Sequence, residues 1–379
     1  MTASPTIFRN ATIVLADEVH HGALAIDDGM IAAIGTDTAG GEDLDGDYLL
    51  PGLVELHTDH LETHYSPRPK VRWSPLAAVQ AHDAQIAASG ITTVLDALRV
   101  GLDEDSELTG EEMLTLATTI AAAKASGRLR ADHFIHIRCE VSAPDCLDSF
   151  HLLAGHPLVR LASLMDHAPG QRQFATLESY RGYYQGKLKM SDVELDAFSD
   201  RRNLESERYS SANRDAISSY CRAHDIVLAS HDDATLAHVD EAIAQGIAIA
   251  EFPTTLEAAR ASHAAGLAVL MGGPNVVRGG SHSGNIAAST LAAAGLLDIV
   301  SSDYVPFSLL QAIFVLSDKV PGISLPAAVR MVSKTPAEAA GLRDRGEIAV
   351  GRRADLVRVA LRDGVPIVRA VWREGRRVI

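Results

Sequence analysis

Short apolar runs alternate with alanine-rich segments through the middle of the chain. The runs have the length of β-strands, and segments such as PLAAVQAHDAQIAAS between them are predicted helices. The predicted strands are LLPGLVELH, GITTVLDAL, DHFIHIRCEV, LVRLASLMDH, DIVLASHD, GIAIAEFP, GLAVLMGGP and LDIVSSDY. Eight strands with intervening helices over about 250 residues predict an α/β fold, a closed (β/α)₈ TIM-like barrel.

Both ends of the chain have a different pattern. Residues 6–50 and the segments GEIAVGRRADLVRVAL, PIVRAVWREG and RRVI are rich in β-forming residues separated by Gly and Asp. We therefore expect the two ends to pair into one small β-sandwich domain, made of residues 1–50 and 345–379, around a barrel of residues 51–344. A doubly wound open sheet is the alternative, but no Gly-rich phosphate loop follows the first barrel strand.

Composition and charge narrow the class of protein. The 379 residues are 47% hydrophobic and 22% charged, which is typical of a globular chain and not of a disordered one. A net charge of −15 argues against nucleic-acid binding, and no apolar run reaches the roughly 18 residues needed to span a bilayer. An anionic substrate is still compatible with this charge if cations or metals are concentrated locally.

The N-terminus and the cysteines indicate a cytoplasmic protein. The segment MTASPTIFRNATIV lacks a basic region followed by an apolar one, so no secretory signal is visible. Cys139, Cys146 and Cys221 are odd in number and show no CxxC spacing, which favours reduced thiols.

The candidate chemistry lies where the predicted strands end. In a barrel of this type these ends meet at one mouth, and imidazole with carboxylate ligands suits Zn²⁺, Mn²⁺ or Fe²⁺. Asp166 could be the residue that orients His167 beside it, and Asp303 could cap a helix and not take part in the chemistry. His60, Glu62 and His64, which follow in HLETH, are less clear: they could be ligands, contacts behind the ligands, substrate contacts or simple loop polarity. The predicted ligands are His57, Asp59, Glu140, His167, His231 and Asp303.

Two segments offer groups for an anionic substrate. GGPNVVRGGSHSGN, residues 272–285, can present backbone N–H groups, Arg278, Ser281 and Ser283 to phosphate oxygens, or it can be a flexible turn. HYSPRPK places Arg68 and Lys70 near the first histidines, although it could be a rigid surface loop. No GxSxG motif surrounds a serine, so a nucleophilic serine hydrolase has little support.

The whole pattern resembles the amidohydrolase superfamily. The segments that carry the resemblance are LLPGLVELHTD, SGITTVLDA, SSDY and the closing GEIAVGRRADLV. A narrower set resembles the ribose 1-methylphosphonate 5-triphosphate diphosphatases of the carbon–phosphorus lyase pathway. It comprises HTDHLETHYSPRPKVRW, HIRCEVS, SLMDHAPGQRQF, YYQGKLKM, SHDD, EFPTT and GGPNVVRGGSHSGN.

This resemblance implies a phosphoanhydride hydrolase that removes pyrophosphate from the 5-triphosphate and leaves the 5-phosphate. Asp303 would then take the proton of a water activated by two divalent ions, Zn²⁺ or Mn²⁺. Positive and polar groups would bind the substrate and stabilise the departing pyrophosphate. The substrate-binding candidates are Arg68, Lys70, Arg172, Lys187, Arg278, Ser281, His282, Ser283 and Asn285.

The sequence departs from the commonest superfamily pattern at three strand ends. Asp59 stands where a second histidine is usual, and Glu140 could bridge the metals in place of a carboxylated lysine. The sixth strand ends at Glu251, where the superfamily usually has a histidine. The rival interpretations are a cyclic-amide hydrolase with the same barrel and a metal-free assembly scaffold. We expect a small phosphorylated sugar as partner, no nucleic acid or membrane, and possible homo-oligomers.

Overall fold

A computed structural model describes residues 5–36, 40–102, 108–169, 171–172, 191–281 and 283–379. Strands from the two ends of the chain pair in one eight-stranded sheet, in the order β16-β15-β14-β5-β1-β2-β3, with β4 beside β1. These strands are β1 (Thr6–Val14), β2 (Val19–Asp27), β3 (Met30–Gly35), β4 (Glu42–Asp43), β5 (Tyr48–Pro51), β14 (Leu356–Arg362), β15 (Val365–Arg373) and β16 (Arg376–Arg377).

The two ends of the chain meet at β5 and β14, which run antiparallel, with Leu49 opposite Arg358. Phe8, Leu49 and Trp372 are buried in the core of this sheet. Phe8 and Trp372 come from opposite ends of the chain, and their ring centroids are 4.7 Å apart. The prediction that the termini form one small β-unit is confirmed. The exact domain boundaries at residues 50 and 345 stay a prediction.

The second sheet is the predicted barrel. Its eight strands run parallel in sequence order. Both faces are covered, so a strand such as Ile91–Val100 is buried at every position, which explains the continuous apolar runs in the sequence. The strands are β6 (Leu53–Thr58), β7 (Ile91–Val100), β8 (Asp132–Glu140), β9 (Val159–Met165), β10 (Val227–His231), β11 (Ile249–Glu251), β12 (Ala268–Gly272) and β13 (Ile299–Ser301).

The first and last barrel strands are joined at the mouth. The Ser301 hydroxyl donates to the His57 carbonyl at 2.6 Å, and the Asp303 amide donates to the same carbonyl at 3.1 Å. Ser301 and the Ser302 amide also bond the buried Glu55 carboxylate, at 2.5 Å each. These bonds close the barrel and fix His57 and Asp303 at adjoining strand ends.

Helices surround the barrel and follow most of its strands. They are α1 (His60–Tyr65), α2 (Pro75–Ala88), α3 (Gly110–Ala125), α4 (Cys146–Ala154), α5 (Asp192–Ala223), α6 (Leu236–Gln245), α7 (Leu256–Ala264), α8 (Gly273–Arg278), α9 (Ala288–Ala293), α10 (Ser308–Lys319), α11 (Leu325–Arg330) and α12 (Lys334–Ala339). Residue 273, the first of α8, is a glycine in close contact with α10: a Cβ there would lie 2.6 Å from the Ser308 hydroxyl oxygen.

Helix α5 is the described part of the long helical excursion predicted for residues 171–220. It begins with a capping box in which Ser191 and Glu194 satisfy each other's backbone N–H groups. Ser206 and Ser210 donate to Asp166 Oδ2 at 2.7 and 2.9 Å, which anchors the helix beside the end of β9.

The three cysteines are buried free thiols, as the sequence predicts. In the described ranges, every helix is too short or too polar to cross a bilayer.

Candidate metal centre

The strand ends converge on one cavity of about 410 Å³ at the mouth of the barrel. His57 comes from β6, His231 ends β10, and His167 lies just beyond β9. Five of the six predicted ligands line this cavity, because parallel strands bring their carboxyl ends to one face. These five are His57, Asp59, His167, His231 and Asp303.

Two of these histidines meet a carboxylate that the sequence interpretation did not single out. Asp232 Oδ2 lies 3.6 Å from His231 Nε2 and 4.0 Å from His167 Nε2. This oxygen is buried and has no hydrogen-bond partner among the described residues. Two imidazole nitrogens and an unpaired carboxylate oxygen around one point are a donor set that fits a divalent cation.

Glu251, at the end of β11, contacts His57 and His231. Its Oε1 lies 3.1 Å from His57 Nδ1, and its Oε2 lies 3.2 Å from His231 Nδ1. The contact to His231 is a hydrogen bond and leaves Nε2 of that ring for the cavity, which is how outer carboxylates orient metal-binding histidines. The contact to His57 is not aligned as a hydrogen bond, and His57 Nδ1 and Glu251 Oε1 have no hydrogen-bond partner among the described residues.

Burial keeps the imidazoles of His57 and His231 in the neutral state that binds metals. Burial lowers the pKa of His57 well below its usual value, and the nearby Arg138 adds to the effect. Burial lowers the pKa of His231 to about 3 although Glu251 opposes it. Both rings are therefore neutral at physiological pH, with a lone pair available.

Two carboxylates of the cavity, Asp232 and Asp303, show the opposite shift of their pKa. Burial raises the pKa of Asp232 to about 7, although His167 opposes it. Burial and the neighbouring Asp59 raise the pKa of Asp303 to about 8. Buried carboxylates that lack enough positive charge are stabilised by a bound cation, so the charge of the site also fits a metal.

His136 lies below the cavity and is close enough to His57 and Glu251 to complete a second cluster. Its Nδ1 is 2.9 Å from the Leu56 carbonyl, and its Nε2 is 2.8 Å from the Ser163 hydroxyl. Both ring nitrogens are thus already used within the barrel, so we assign His136 to its interior.

Glu140 lies behind His167. Its Oε2 is 2.5 Å from His167 Nδ1, and its Oε1 accepts from the His167 amide at 3.0 Å. Arg99 and Arg202 bond the same carboxylate at 3.1 and 3.0 Å. Burial alone would raise the pKa of Glu140, but His167 and the two arginines outweigh burial and hold this pKa well below its usual value. This geometry orients His167 through Glu140, whereas Asp166, the other candidate for that role, bonds serines of α5.

The chain is similar in sequence to a protein of named activity. It is 48% identical, over 98% of its length and all of the relative's, to the α-D-ribose 1-methylphosphonate 5-triphosphate diphosphatase of Escherichia coli (strain K12). The chain belongs to the family of that diphosphatase. A model described as the amidohydrolase family also matches residues 224–379.

Solved structures of other enzymes share the fold. N-acetyl-D-glucosamine-6-phosphate deacetylase from Mycobacterium smegmatis matches with a TM-score of 0.65 and 18% identity, covering 99% of this chain and 100% of the other. A 5-methylcytosine deaminase from Klebsiella pneumoniae matches with a TM-score of 0.66 and 15% identity, covering 99% of this chain and 97% of the other. At these identities the likeness supports the barrel with its terminal sheet.

One positively charged side chain inside the cavity, that of Arg138, is not among the residues that the sequence predicts for the site. Arg138, on β8, lines the cavity with its side chain 13% exposed, and its Nη1 lies 3.3 Å from Asp59 Oδ2. The signal was present in HIRCEVS, but an arginine within a strand predicts a surface position equally well. The other overlooked residue, Asp232, stands directly after a predicted ligand in SHDD.

The substrate-side predictions fall into three groups. Arg278, Ser281, Ser283 and Asn285 line the cavity, next to the predicted metal ligands. Arg68 and Lys70 are exposed in the loop after α1, and Arg172 pairs with Asp233 and Glu241 near α6. Lys187 and His282 lie outside the described residues.

Proposed function

We propose that this chain hydrolyses a phosphoanhydride, releasing pyrophosphate from ribose 1-methylphosphonate 5-triphosphate to leave the 5-phosphate in phosphonate catabolism. The proposal is supported by 48% identity to a diphosphatase of that name along essentially the whole chain. One observation in the site carries it: the cavity holds a candidate metal cluster beside Arg138 and Arg278, positive groups that a polyphosphate needs.

We propose two divalent ions, Zn²⁺ or Mn²⁺, as the cofactor. When bound, such ions supply an activated water and positive charge for the developing phosphate oxygens. His167, His231 and Asp232 fit one ion, and His57, Asp59 and Asp303 line the rest of the cavity. Ligation by Glu140 stays a prediction, although its contacts favour a role in orienting His167.

Asp303 is the proposed general base. It lies at the end of the last barrel strand and lines the cavity, with its amide held by the His57 carbonyl at 3.1 Å. A carboxylate fixed in this way can accept a proton from water within hydrogen-bond reach and deliver it to the leaving group.

The cavity lining suggests how the substrate is held. Arg138 and Arg278 contribute positive charge, while Ser281, Ser283 and Asn285 offer hydrogen bonds to phosphate oxygens. Arg68, Lys70, Arg172, Lys187 and His282 remain proposed substrate contacts. For the exposed Arg68 and Lys70, this role requires the loop to approach the mouth when substrate binds.

The first test compares two substrate classes with one preparation. Metal-loaded protein is assayed for pyrophosphate release from the sugar triphosphate and for ring opening of hydantoin and dihydroorotate. Pyrophosphate release alone supports the proposal. Ring opening alone would favour the cyclic-amide interpretation, and a preparation that binds no metal would favour a scaffold.

We also propose that the enzyme is cytoplasmic, has no nucleic-acid partner and can form homo-oligomers.

A further inference from the structure

Two histidines on α1 face the same point on α2. His60 and His64 are one helical turn apart, so their rings lie on one face of α1, with centroids 5.1 Å apart. His60 Nε2 and His64 Nε2 lie 3.0 and 3.2 Å from the same Gln85 side-chain oxygen. Both rings therefore direct Nε2 toward one side-chain oxygen of α2.

A third histidine borders this space from the inside. The His82 ring centroid lies 6.2 Å from that of His60 and 6.0 Å from that of His64. His82 is completely buried, and its Nε2 donates to Asp96 Oδ1 at 2.7 Å. Its Nδ1 is buried with no hydrogen-bond partner among the described residues.

The chemistry of His82 is that of an oriented metal ligand. A carboxylate that accepts from one ring nitrogen fixes the tautomer and leaves the lone pair on the other nitrogen. Burial lowers the pKa of His82, although Asp96 opposes the shift, so the ring is neutral. Asp96 is in turn bonded at 2.7 Å by His133, which balances its charge. A buried ring nitrogen such as His82 Nδ1 costs free energy unless its lone pair binds a cation or accepts a hydrogen bond.

The spacing of one pair of rings matches that of a zinc site, and the third ring lies slightly farther away. Two imidazoles on one tetrahedral Zn²⁺, with Zn–N distances of about 2.05 Å, have ring centroids about 5.2 Å apart. The His60–His64 separation of 5.1 Å matches this value, and the two separations to His82 exceed it by about 1 Å. To share one ion with His82, the half-buried His60 and His64 side chains must turn toward it and leave the Gln85 oxygen.

We propose that His60, His64 and His82 form a second transition-metal site, separate from the barrel mouth, that takes Zn²⁺ or a similar borderline-soft divalent ion. In the described part of the chain, none of the three lines the central cavity. His60 and His64 are partly exposed, which gives the ion a route in from solvent. The site joins α1, which follows the first ligand strand, to α2, so its role is to hold the loop after β6 in place.

The test counts metal ions in matched variants. Wild-type protein, His60→Asn/His64→Asn and the control His151→Asn/His224→Asn are stripped with a chelator, reloaded with Zn²⁺, desalted and analysed for zinc per chain. The control removes two histidines that are exposed on the surface. We expect the first variant to hold one zinc ion fewer than wild type and control, with its circular dichroism and its catalytic activity at saturating Zn²⁺ unchanged. Equal zinc content in all three proteins would overturn the proposal.

A crystal of wild-type protein gives an independent answer that needs no variant. Diffraction data collected on either side of the zinc absorption edge, after soaking in Zn²⁺, should show an anomalous peak between the three imidazoles. A peak at the barrel mouth with none at His60, His64 and His82 would overturn the proposal, whatever the variants do.

Discussion

Glu140 Oε2 lies 2.5 Å from His167 Nδ1, on the side of the ring that faces away from the cavity. The contact joins the end of β8 to the end of β9 and leaves His167 Nε2 beside Asp232. Arg99 and Arg202 hold the same carboxylate, so the direction of one candidate ligand depends on β7, β8 and α5 together.

Replacing this carboxylate should weaken metal binding without abolishing it. We expect Glu140→Gln to lower metal affinity by about 10–100-fold, because outer carboxylates orient ligands without bonding the ion. Turnover should recover at saturating metal, and the exposed Glu207→Gln is the control. Isothermal titration of chelator-treated protein measures the affinity. A site that stays empty at saturating metal would instead make Glu140 a direct ligand.

The Asp303 carboxylate should matter for turnover more than for binding. Asp303→Asn removes the proposed base while leaving the amide that bonds the His57 carbonyl, so we expect kcat to fall by about 10²–10⁴-fold. Bound metal should change little. Steady-state rates and metal content are compared with those of Asp318→Asn, an exposed aspartate of α10. Activity equal to that of the control would remove Asp303 from the mechanism.

Arg138 should stabilise charge that develops during the reaction. It lies in the cavity beside Asp59, and we expect Arg138→Gln to reduce kcat/KM by about 10²–10³-fold, as for loss of one fixed stabilising group. Arg128→Gln, at an exposed position after α3, is the matched control. If both variants lose the same small factor, Arg138 does not contact the reacting phosphates.

The barrel and the terminal sheet could be predicted from the sequence because each leaves a periodic signal. Parallel strands buried on both faces give apolar runs, and every predicted barrel strand overlaps an observed one. The strand ends then place His57, His231 and Asp303 at one mouth. Topology alone is sufficient for these residues.

The remaining features of the site depend on contacts between distant residues. Glu140 was predicted as a ligand, but its orientation depends on Arg99 and Arg202, which are 41 and 62 residues away in the sequence. Asp232 was overlooked because the sequence does not show which residue of a His-Asp-Asp run turns toward the cavity. In the structure Asp232 lines the cavity and has a left-handed backbone, with φ of 58°.

The buried ion pairs of His133 with Asp83 and Asp96 should make the stability of the fold depend on pH. Burial lowers the pKa of His133, but the carboxylates of Asp96 and Asp83 outweigh burial and raise this pKa to about 9. A raised histidine pKa stabilises the fold fully below the unfolded value of about 6.5, and this contribution is lost as pH rises through 9.

Urea unfolding of metal-free protein between pH 6.5 and 9 tests this. We expect the free energy of unfolding of wild type to fall by about 3 kcal/mol at most over that range, and the fall to be absent in His133→Gln. The exposed His224→Gln should behave like wild type. A His133→Gln curve parallel to wild type would show that His133 does not carry this charge.

The most direct measurement of the central claim is ³¹P NMR of metal-loaded protein with ribose 1-methylphosphonate 5-triphosphate. Our account predicts that the triphosphate signals are replaced by those of pyrophosphate and a 5-monophosphate, with the methylphosphonate signal retained. Chelator-treated protein should leave the substrate intact until metal is restored. Release of inorganic phosphate with a 5-diphosphate, or an unchanged triphosphate in the presence of confirmed metal, would contradict it.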